Sequence, residues 1–551
     1  MLFRVPVKYN GLNSTELAIS ESQERMSVVV ERKDMETMMA LCAEENVEVT
    51  HVADVTDTQR MRMYFHDQLI VDLKRDFIDS AGAKHYTQVT IPAVEERNPF
   101  ARTVEGATIT EQLAENLKDW NVVSQKGLIE MFDSTIGAST VLMPFGGATQ
   151  RTESQVSVQT LPVRHGKTNT ASIMAFGYNP YISSWSPYHG AQYAVVEAVA
   201  KVVAAGARFD KMRFSYQEYF ERMTDRSSWG KPMAALLGAL KMQHALGLPS
   251  IGGKDSMSGT FNDIKVPPTL IAFGITTVDA RTVISPEFKA AGNKLYLVKH
   301  TPKSDYTPDC EALRRNFTLV TDLIEKGCVV AAYAVGFGGV AEAVSKMSFG
   351  NEIGATLTID SSELFDYNYG SIVVESTEEI AGAILLGHTV AEKSITVNGC
   401  SVDITELYKA NTARFECVYP SKGLTGEPCR ESNYAVGAPK YKGEAVDTVK
   451  VYLPVFPGTN CDYDTARAFE RAGAQTEIGV FCNLTSDAIF DSIKRMCAAI
   501  DNSHILVLSG GFSLGDEPDG SGKFIAGVLN NADVTKSVHA LLDRGGLILG
   551  L

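Results

Sequence analysis

Ten consecutive residues, Ile251-Gly252-Gly253-Lys254-Asp255-Ser256-Met257-Ser258-Gly259-Thr260, bring together glycines, a lysine, a carboxylate and three hydroxyls. Glycine lets a backbone approach an anion closely, and Lys254, Ser256 and Ser258 suit phosphate oxygens. Asp255 suits a hard cation such as Mg²⁺. The stretch reads as a loop, but the GxxxxGK[ST] spacing of a Walker A loop is absent. The same composition also serves a polar turn capped by Asp255. A second carboxylate, Glu197, follows Trp185-Ser186-Pro187-Tyr188-His189-Gly190 on a helix, with Lys201 four residues on. Such an i, i+4 pair is most often solvated and contributes a few tenths of a kcal/mol, on the order of 0.3. Further along, Phe456-Pro457-Gly458-Thr459-Asn460-Cys461-Asp462 and Leu506-Val507-Leu508-Ser509-Gly510-Gly511-Phe512-Ser513 each follow an apolar strand. Open α/β sheets place their sites at such turns. Gly510 and Gly511 could present backbone N–H groups to an oxyanion, or simply form a tight βα turn. Gly545 to Leu551 form another apolar strand, after which a G-x-nucleophile-x-G elbow would be expected, with Gly550 and Leu551 as its first two residues. Cys461 precedes a helical stretch from about Tyr463, whose dipole could lower a thiol pKa; it reads as a turn residue.

The elements that must position these groups follow from periodicity. Ser27 to Val30 is apolar and β-branched and predicts a strand. Asp34 to Glu45 predicts a capped helix, and Met61 to Leu73 a hairpin. From about Lys84 to Arg164 the apolar runs are short and broken, which predicts a linker wrapped over other domains. Residues 165 to 280 predict strand, loop, long helix, second helix and strand, with Tyr193, Val196, Ala200 and Val203 burying one helical face. Residues 290 to 420 predict a further α/β block, in which GFGG at 336–339 opens a helix from Val340 to Met347. A Gly-, Pro- and charge-rich linker follows, and Val449 to Leu551 alternates βαβαβ as in an open parallel sheet.

Bulk properties bound the function. A chain of 551 residues exceeds what one core serves, so several domains are expected. Hydrophobic residues at 44% and charged residues at 21% describe a folded globular protein. The net charge of -15 argues against nucleic acid and anionic membrane as partners. The nine cysteines are scattered, with no CxxC pair, as expected of reduced thiols in a cytoplasmic protein. No window reaches the roughly 18 to 20 apolar residues of a membrane span.

Several longer stretches resemble a known family. GLNSTELAISESQERM, SSWSPYHGAQYAVVEAVAKVVAAGA, WGKPMAALLGALKMQHALGLPSIGGKDSMSGTF, KVPPTLIAFGITTVDA, and FPGTNCDYDTARAFERAGA with LSGGFSLGD occur in order along nearly the whole chain. Together they are similar to phosphoribosylformylglycinamidine synthases of the large, single-chain type. The resemblance implies an α/β and α+β multidomain fold: an aminoimidazole-ribonucleotide-synthetase-like second half plus a truncated class I glutamine amidotransferase (flavodoxin-like) domain. It divides the chain into 1–83, the end of a first synthetase half; 84–164, a linker and the start of the second half; 165–285 and 286–425, the second half's N- and C-terminal domains; 426–447, a linker; and 448–551, the amidotransferase.

The activity implied is amidation of formylglycinamide ribonucleotide in purine biosynthesis, with glutamine as nitrogen donor and ATP and Mg²⁺ as cofactors. Residue by residue, the resemblance makes Glu197 and Asp255 metal ligands, places Lys254, Ser256 and Ser258 at the nucleotide, and puts Gly510 and Gly511 in the oxyanion turn. It implies contacts with the rest of the first half, and a glutaminase Cys, His and Glu beyond Leu551, so that the isolated chain is expected to be inactive. Three positions depart from the pattern. Asn169 stands where relatives often carry Asp, Lys201 where they carry Asn, and Ala334 to Gly339 where many have an HDxSDGGL-like loop. These departures keep open a noncatalytic nucleotide-binding or scaffold protein that retains the folds.

Overall fold

The structure is a computed structural model that describes residues 1–7, 10–20, 25–80, 86–91, 93–163, 166–421, 445–511 and 521–551. Internal contacts divide the chain into two compact units: Thr87–Cys429, and Met1–Tyr86 together with Arg430–Leu551.

In the opening segment, helix α1 (Met35–Glu44) begins at the expected place, but the Asp34 side chain makes no capping bond. Strands β1 (Arg60–Phe65) and β2 (Gln68–Lys74) form the expected antiparallel hairpin. Arg60 and Arg62 both reach Asp72 across it. Ser27 to Val30, expected as a strand, is not one, and Val29 is 84% exposed. A β-branched run without a partner leaves its N–H and C=O groups unpaired, so propensity alone does not make a strand.

The unit Thr87–Cys429 corrects the expectation of a wrapped linker. Helix α2 (Ile109–Leu117) opens with a Thr108–Glu111 capping box and buries Leu113 and Leu117 completely. Strands β3 (Phe145–Gly146) and β4 (Thr152–Glu153) pair, and β5 (Ser157–Thr160) enters a main sheet with Val158 fully buried. Elements this short carry too few apolar residues to register as a period. The first main sheet runs β5, β6 (Thr170–Gly177), β9 (Thr269–Asp279), β7 (Arg213–Tyr219), β8 (Ser250–Ser256) in that spatial order. Helix α3 (Pro187–Ala204) packs on it, and helix α4 (Arg226–Leu246) packs on α3.

Helix α3 is buried over every residue from Gly190 to Ala200, not along one stripe, because it packs on β6, on β9 and on the second sheet as well. Small residues make the close approach possible. A Cβ at Gly177 would meet the Ala194 carbonyl oxygen at 2.2 Å. The second sheet has seven strands, in the order β11 (Val329–Ala334), β13 (Ile372–Ser376), β10 (Lys294–Val298), β14 (Ile384–Val390), β12 (Gly354–Leu357), β15 (Ser394–Val397), β16 (Cys400–Asp403). Helices α5 (Cys310–Glu325), α6 (Gly339–Phe349) and α7 (Ile404–Thr412) accompany it, and α6 starts at the GFGG turn as expected.

The linker expected at 426–447 lies outside the described residues except at 445–447. After it come β17 (Lys450–Val455), α8 (Asp462–Arg471), β18 (Gln475–Val480), α9 (Ser486–Asn502), β19 (Ile505–Leu508), α10 (Ser521–Leu529), α11 (Ala532–Asp543) and β20 (Leu547–Gly550). The strands are all parallel and run β18-β17-β19-β20. Taken from the start of the domain this is order 2-1-3-4, the flavodoxin-like arrangement, which places loops after β17 and β19 at the carboxyl edge. Within the same unit, the Asn46 and Asn483 side chains bond at 3.0 Å, and the Asn483 N–H donates to Asn46 Oδ1 at 2.9 Å.

Candidate functional site

The stretch expected as a phosphate loop is an edge strand up to Ser256. β8 lies parallel to β7, with Gln217 opposite Lys254, Glu218 opposite Asp255 and Tyr219 opposite Ser256, after an irregularity between Phe214 and Ser215. Its glycines explain why no strand was foreseen. Gly252 takes a φ of +144°, a conformation that favours glycine, and a Cβ at Gly253 would meet the Tyr216 carbonyl oxygen at 2.3 Å, so Gly253 serves the fit to β7 and neither carries strand propensity. Lys254 and Asp255 are exposed on this edge. The Ser256 and Ser258 hydroxyls stand 3.3 Å apart where the chain turns away.

Opposite Asp255, Glu218 is only 7% exposed, and its Oε1 finds no hydrogen-bond partner. Burial first, and the Asp255 charge second, push its carboxyl up to about 7. Three residues on, Glu221 is 6% exposed but accepts both Lys231 and Lys265. The Lys231 and Lys265 bonds hold it below the usual carboxylate range.

Glu197 is placed elsewhere. Its Oε1 pairs with Lys201 Nζ at 2.8 Å, and its Oε2 accepts the Tyr178 N–H at 2.9 Å. Lys201 also donates to the Phe176 carbonyl at 2.9 Å and sits 4.6 Å from the Phe176 ring centre. The pair is largely buried, at 12% and 9% side-chain exposure, so the reading of a solvated helix pair is corrected. Asn169 contributes its backbone carbonyl to the Ala280 N–H at the end of β9.

The turn at 336–339 is organised by residues that periodicity did not mark. Glu342 Oε2 accepts the Gly338 N–H at 2.7 Å. Buried Lys346 bridges Glu153 at 2.7 Å and Glu342 at 3.0 Å. Burial opposes the Lys346 charge, but the two carboxylates hold the ammonium well above its usual pKa. A lysine buried inside an apolar helix reads as surface in sequence, and only its two remote partners show otherwise. Sequence reading also missed a cavity of about 560 Å³ beside Trp185, Tyr188, His189, Lys231 and Pro267. His189 bonds the Ser186 hydroxyl at 2.8 Å and the Asp305 carbonyl at 3.0 Å, and burial pushes its pKa down. Among the described residues, no three His, Cys, Asp or Glu side chains are grouped to hold a metal.

In the parallel sheet, the turns after β17 and β19 touch. The Asn460 N–H donates to the Gly510 carbonyl at 3.0 Å, and a Cβ at Gly511 would meet the Gly458 carbonyl oxygen at 2.2 Å. Cys461 is the exposed N-cap of α8 with a φ of 62°. Phe512 and Ser513 of the expected turn lie outside the described residues.

Two domain families match the chain: AIR synthase related protein, C-terminal domain, over residues 2–66, and the CobB/CobQ-like glutamine amidotransferase domain over residues 448–551. Curated relatives include the phosphoribosylformylglycinamidine synthase subunit PurL of Thermoplasma acidophilum, 23% identical over 65% of this chain and 48% of the relative. The subunit of the same name from Thermococcus sibiricus is 26% identical over 65% of this chain and 50% of the relative. The chain thus spans about half the length of these relatives. Among solved structures, Thermotoga maritima PurL complexed with ADP superposes with a TM-score of 0.51 at 18% identity, over 71% of this chain and 59% of that one. The ATP complex of the same protein gives 0.50 at 18% identity, over 70% and 58%. The fold is therefore the AIR-synthase-like and amidotransferase combination expected from the sequence, and the chain is similar to these phosphoribosylformylglycinamidine synthase subunits over about half of their length.

Proposed function

We propose that the chain is part of an ATP- and glutamine-dependent ligase that amidates formylglycinamide ribonucleotide, acting in the cytoplasm in purine biosynthesis. One observation carries the reading: a synthetase-like unit with a glycine–lysine–aspartate edge and a parallel-sheet amidotransferase domain with touching glycine turns occur in one chain. In this reading Lys254, Ser256 and Ser258 contact the nucleotide phosphates. Their types and clustering support it, as does the exposure of the edge, since a phosphate needs donors that protein groups have not already taken. Asp255 holds Mg²⁺, which would neutralise phosphate charge. Gly510 and Gly511 belong to the glutaminase half, where backbone N–H groups stabilise the oxyanion formed when the glutamine amide is attacked. Contacts with the remaining portion of a first synthetase half complete the assembly.

Glu197 fits a metal poorly, because an ammonium already lies 2.8 Å from its carboxylate and like charges at that range exclude a second cation. Calorimetric titration of the full chain with ADP in Mg²⁺ tests the nucleotide assignment. Lys254→Ala is expected to weaken binding about tenfold, equivalent to ~1.4 kcal/mol. Unchanged affinity in Lys254→Ala and Ser256→Ala would remove the edge strand from the nucleotide site.

A further inference from the structure

We infer that the region around Glu197 and the turn at 336–339 is closed to metal and phosphate because the chain supplies its own ions there: Lys201 stands in for the cation and Glu342 for the anion. The inference rests on reading β8 as the nucleotide-binding edge, and it confines the nucleotide to that edge.

The family resemblance makes Glu197 a metal ligand, and its surroundings do not fit one. Glu197 Oε1 meets the Lys201 ammonium at 2.8 Å, and Oε2 accepts the Tyr178 N–H at 2.9 Å. The ammonium also donates to the Phe176 carbonyl at 2.9 Å and lies 4.6 Å from the Phe176 ring centre. A hard divalent cation needs oxygens that other donors have not taken, and a like charge at this range expels it. The backbone leaves little room for rearrangement. A Cβ at Gly177, between Phe176 and Tyr178, would meet the Ala194 carbonyl oxygen at 2.2 Å and Glu197 Cβ at 2.8 Å.

The anion position is filled in the same manner. A glycine turn leading into a helix gathers anions through its backbone N–H groups, and 336–339 leads into α6 in this way. Here the Gly338 N–H donates to Glu342 Oε2 at 2.7 Å. That oxygen would stand 2.9 Å from a Cβ at Gly338 and 3.6 Å from one at Gly336, so the carboxylate lies over both glycines. Glu342 is neutralised in turn by Lys346 at 3.0 Å. Both filled positions act on one buried phenol, Tyr369, whose hydroxyl accepts from Asn179 Nδ2 at 3.0 Å. Burial first, then the Glu197 charge, with Glu342 adding to them, keeps that phenol from ionising.

Lys201 stands where relatives often carry Asn, so one substitution exchanges the ammonium for an open position. Mn²⁺, counted by electron paramagnetic resonance on the full chain without nucleotide, should bind Lys201→Asn at least about tenfold more tightly than wild type. Adding Glu197→Gln to that variant should abolish the gain, and thermal melts should show Mn²⁺ raising the melting temperature of Lys201→Asn more than that of wild type. In the otherwise native chain, Glu197→Gln should leave Mn²⁺ affinity within about twofold, which decides the matter if Lys201→Asn does not fold. No gain in a folded Lys201→Asn, or Mn²⁺ binding to wild type that Glu197→Gln removes, would overturn the internal cation. For the turn, Glu342→Gln should leave ADP affinity within about twofold, whereas tightening of about tenfold or more would show Glu342 competing with phosphate and overturn the internal anion. The two layers separate cleanly. Absence of ADP binding to wild type removes the edge-strand reading and leaves the Mn²⁺ results to decide the filled site. Lys254-dependent ADP binding together with Glu197-dependent Mn²⁺ in wild type removes the filled site and leaves the edge strand standing.

Discussion

Glu197 and Glu218 belong to the same unit and are equally hidden, at 7% exposure each, yet they are opposites. Glu197 lies on a central helix and is held by an ammonium, a backbone N–H and, through Lys201, an aromatic ring. Glu218 lies one strand from the sheet edge, in register with another carboxylate, Asp255, and its Oε1 has no hydrogen-bond partner. The contrast teaches that burial of a carboxylate is not by itself a sign of a binding site. What separates structure from function is whether the chain supplies the counter-charge. A group satisfied internally holds the fold together, and one left wanting costs it stability.

The largest effect should come from breaking the satisfied side of this comparison. Lys201→Met leaves Glu197 buried beside no cation and should destabilise the unit by about 3–5 kcal/mol, read by urea unfolding. Adding Glu197→Gln to that variant should recover much of the loss. If Lys201→Met unfolds at the wild-type urea concentration, the pair is not the internal neutralisation described here.

The unsatisfied side predicts the reverse sign. The folded carboxyl of Glu218 sits at about 7 against an ordinary 4.5, so the folded chain keeps a proton that the unfolded chain releases. Stability from this group is therefore highest below about 4.5 and falls as pH rises to about 7. Glu218→Gln should flatten that slope and stabilise the protein at pH 8 by up to about 3 kcal/mol in metal-free buffer. A melt profile with unchanged pH dependence would show that Glu218 is not strained. In the parallel sheet, Gly511→Ala should cost about 1–3 kcal/mol because its Cβ would strike the Gly458 carbonyl. Gly510→Ala, whose nearest neighbour is 3.4 Å away, should cost less. The smallest effect belongs to exposed Asp255: Asp255→Asn should leave stability within about 0.5 kcal/mol while moving the Glu218-dependent slope to lower pH.

Legibility in the sequence followed the locality of the forces. The sheet of 448–551 could be read because apolar runs alternate with helical periods and short glycine turns, all local signals. The hairpin at 61–73 and the helix opening at Gly339 were equally plain. Strand β8 was not, because its pairing with β7 bridges a whole helix and its glycines mimic a loop. Ser27 to Val30 failed in the opposite direction, with strand propensity but no partner. At the candidate site, sequence and family resemblance singled out Asp255, Glu197, Lys254, Ser256 and Ser258 as candidates. Glu218, Glu342, Lys346 and Glu153 stayed hidden because their character comes from what packs on them. A glutamate in FSYQEYF looks like any outward strand residue until the fold turns it inward.

The most direct test of this account is the Mg²⁺ dependence of ADP affinity, measured by calorimetry on the full chain for wild type, Glu197→Gln and Asp255→Asn. Mg²⁺ should tighten ADP binding at least about tenfold in wild type and Glu197→Gln and have little effect in Asp255→Asn. Dependence lost in Glu197→Gln and kept in Asp255→Asn would contradict it.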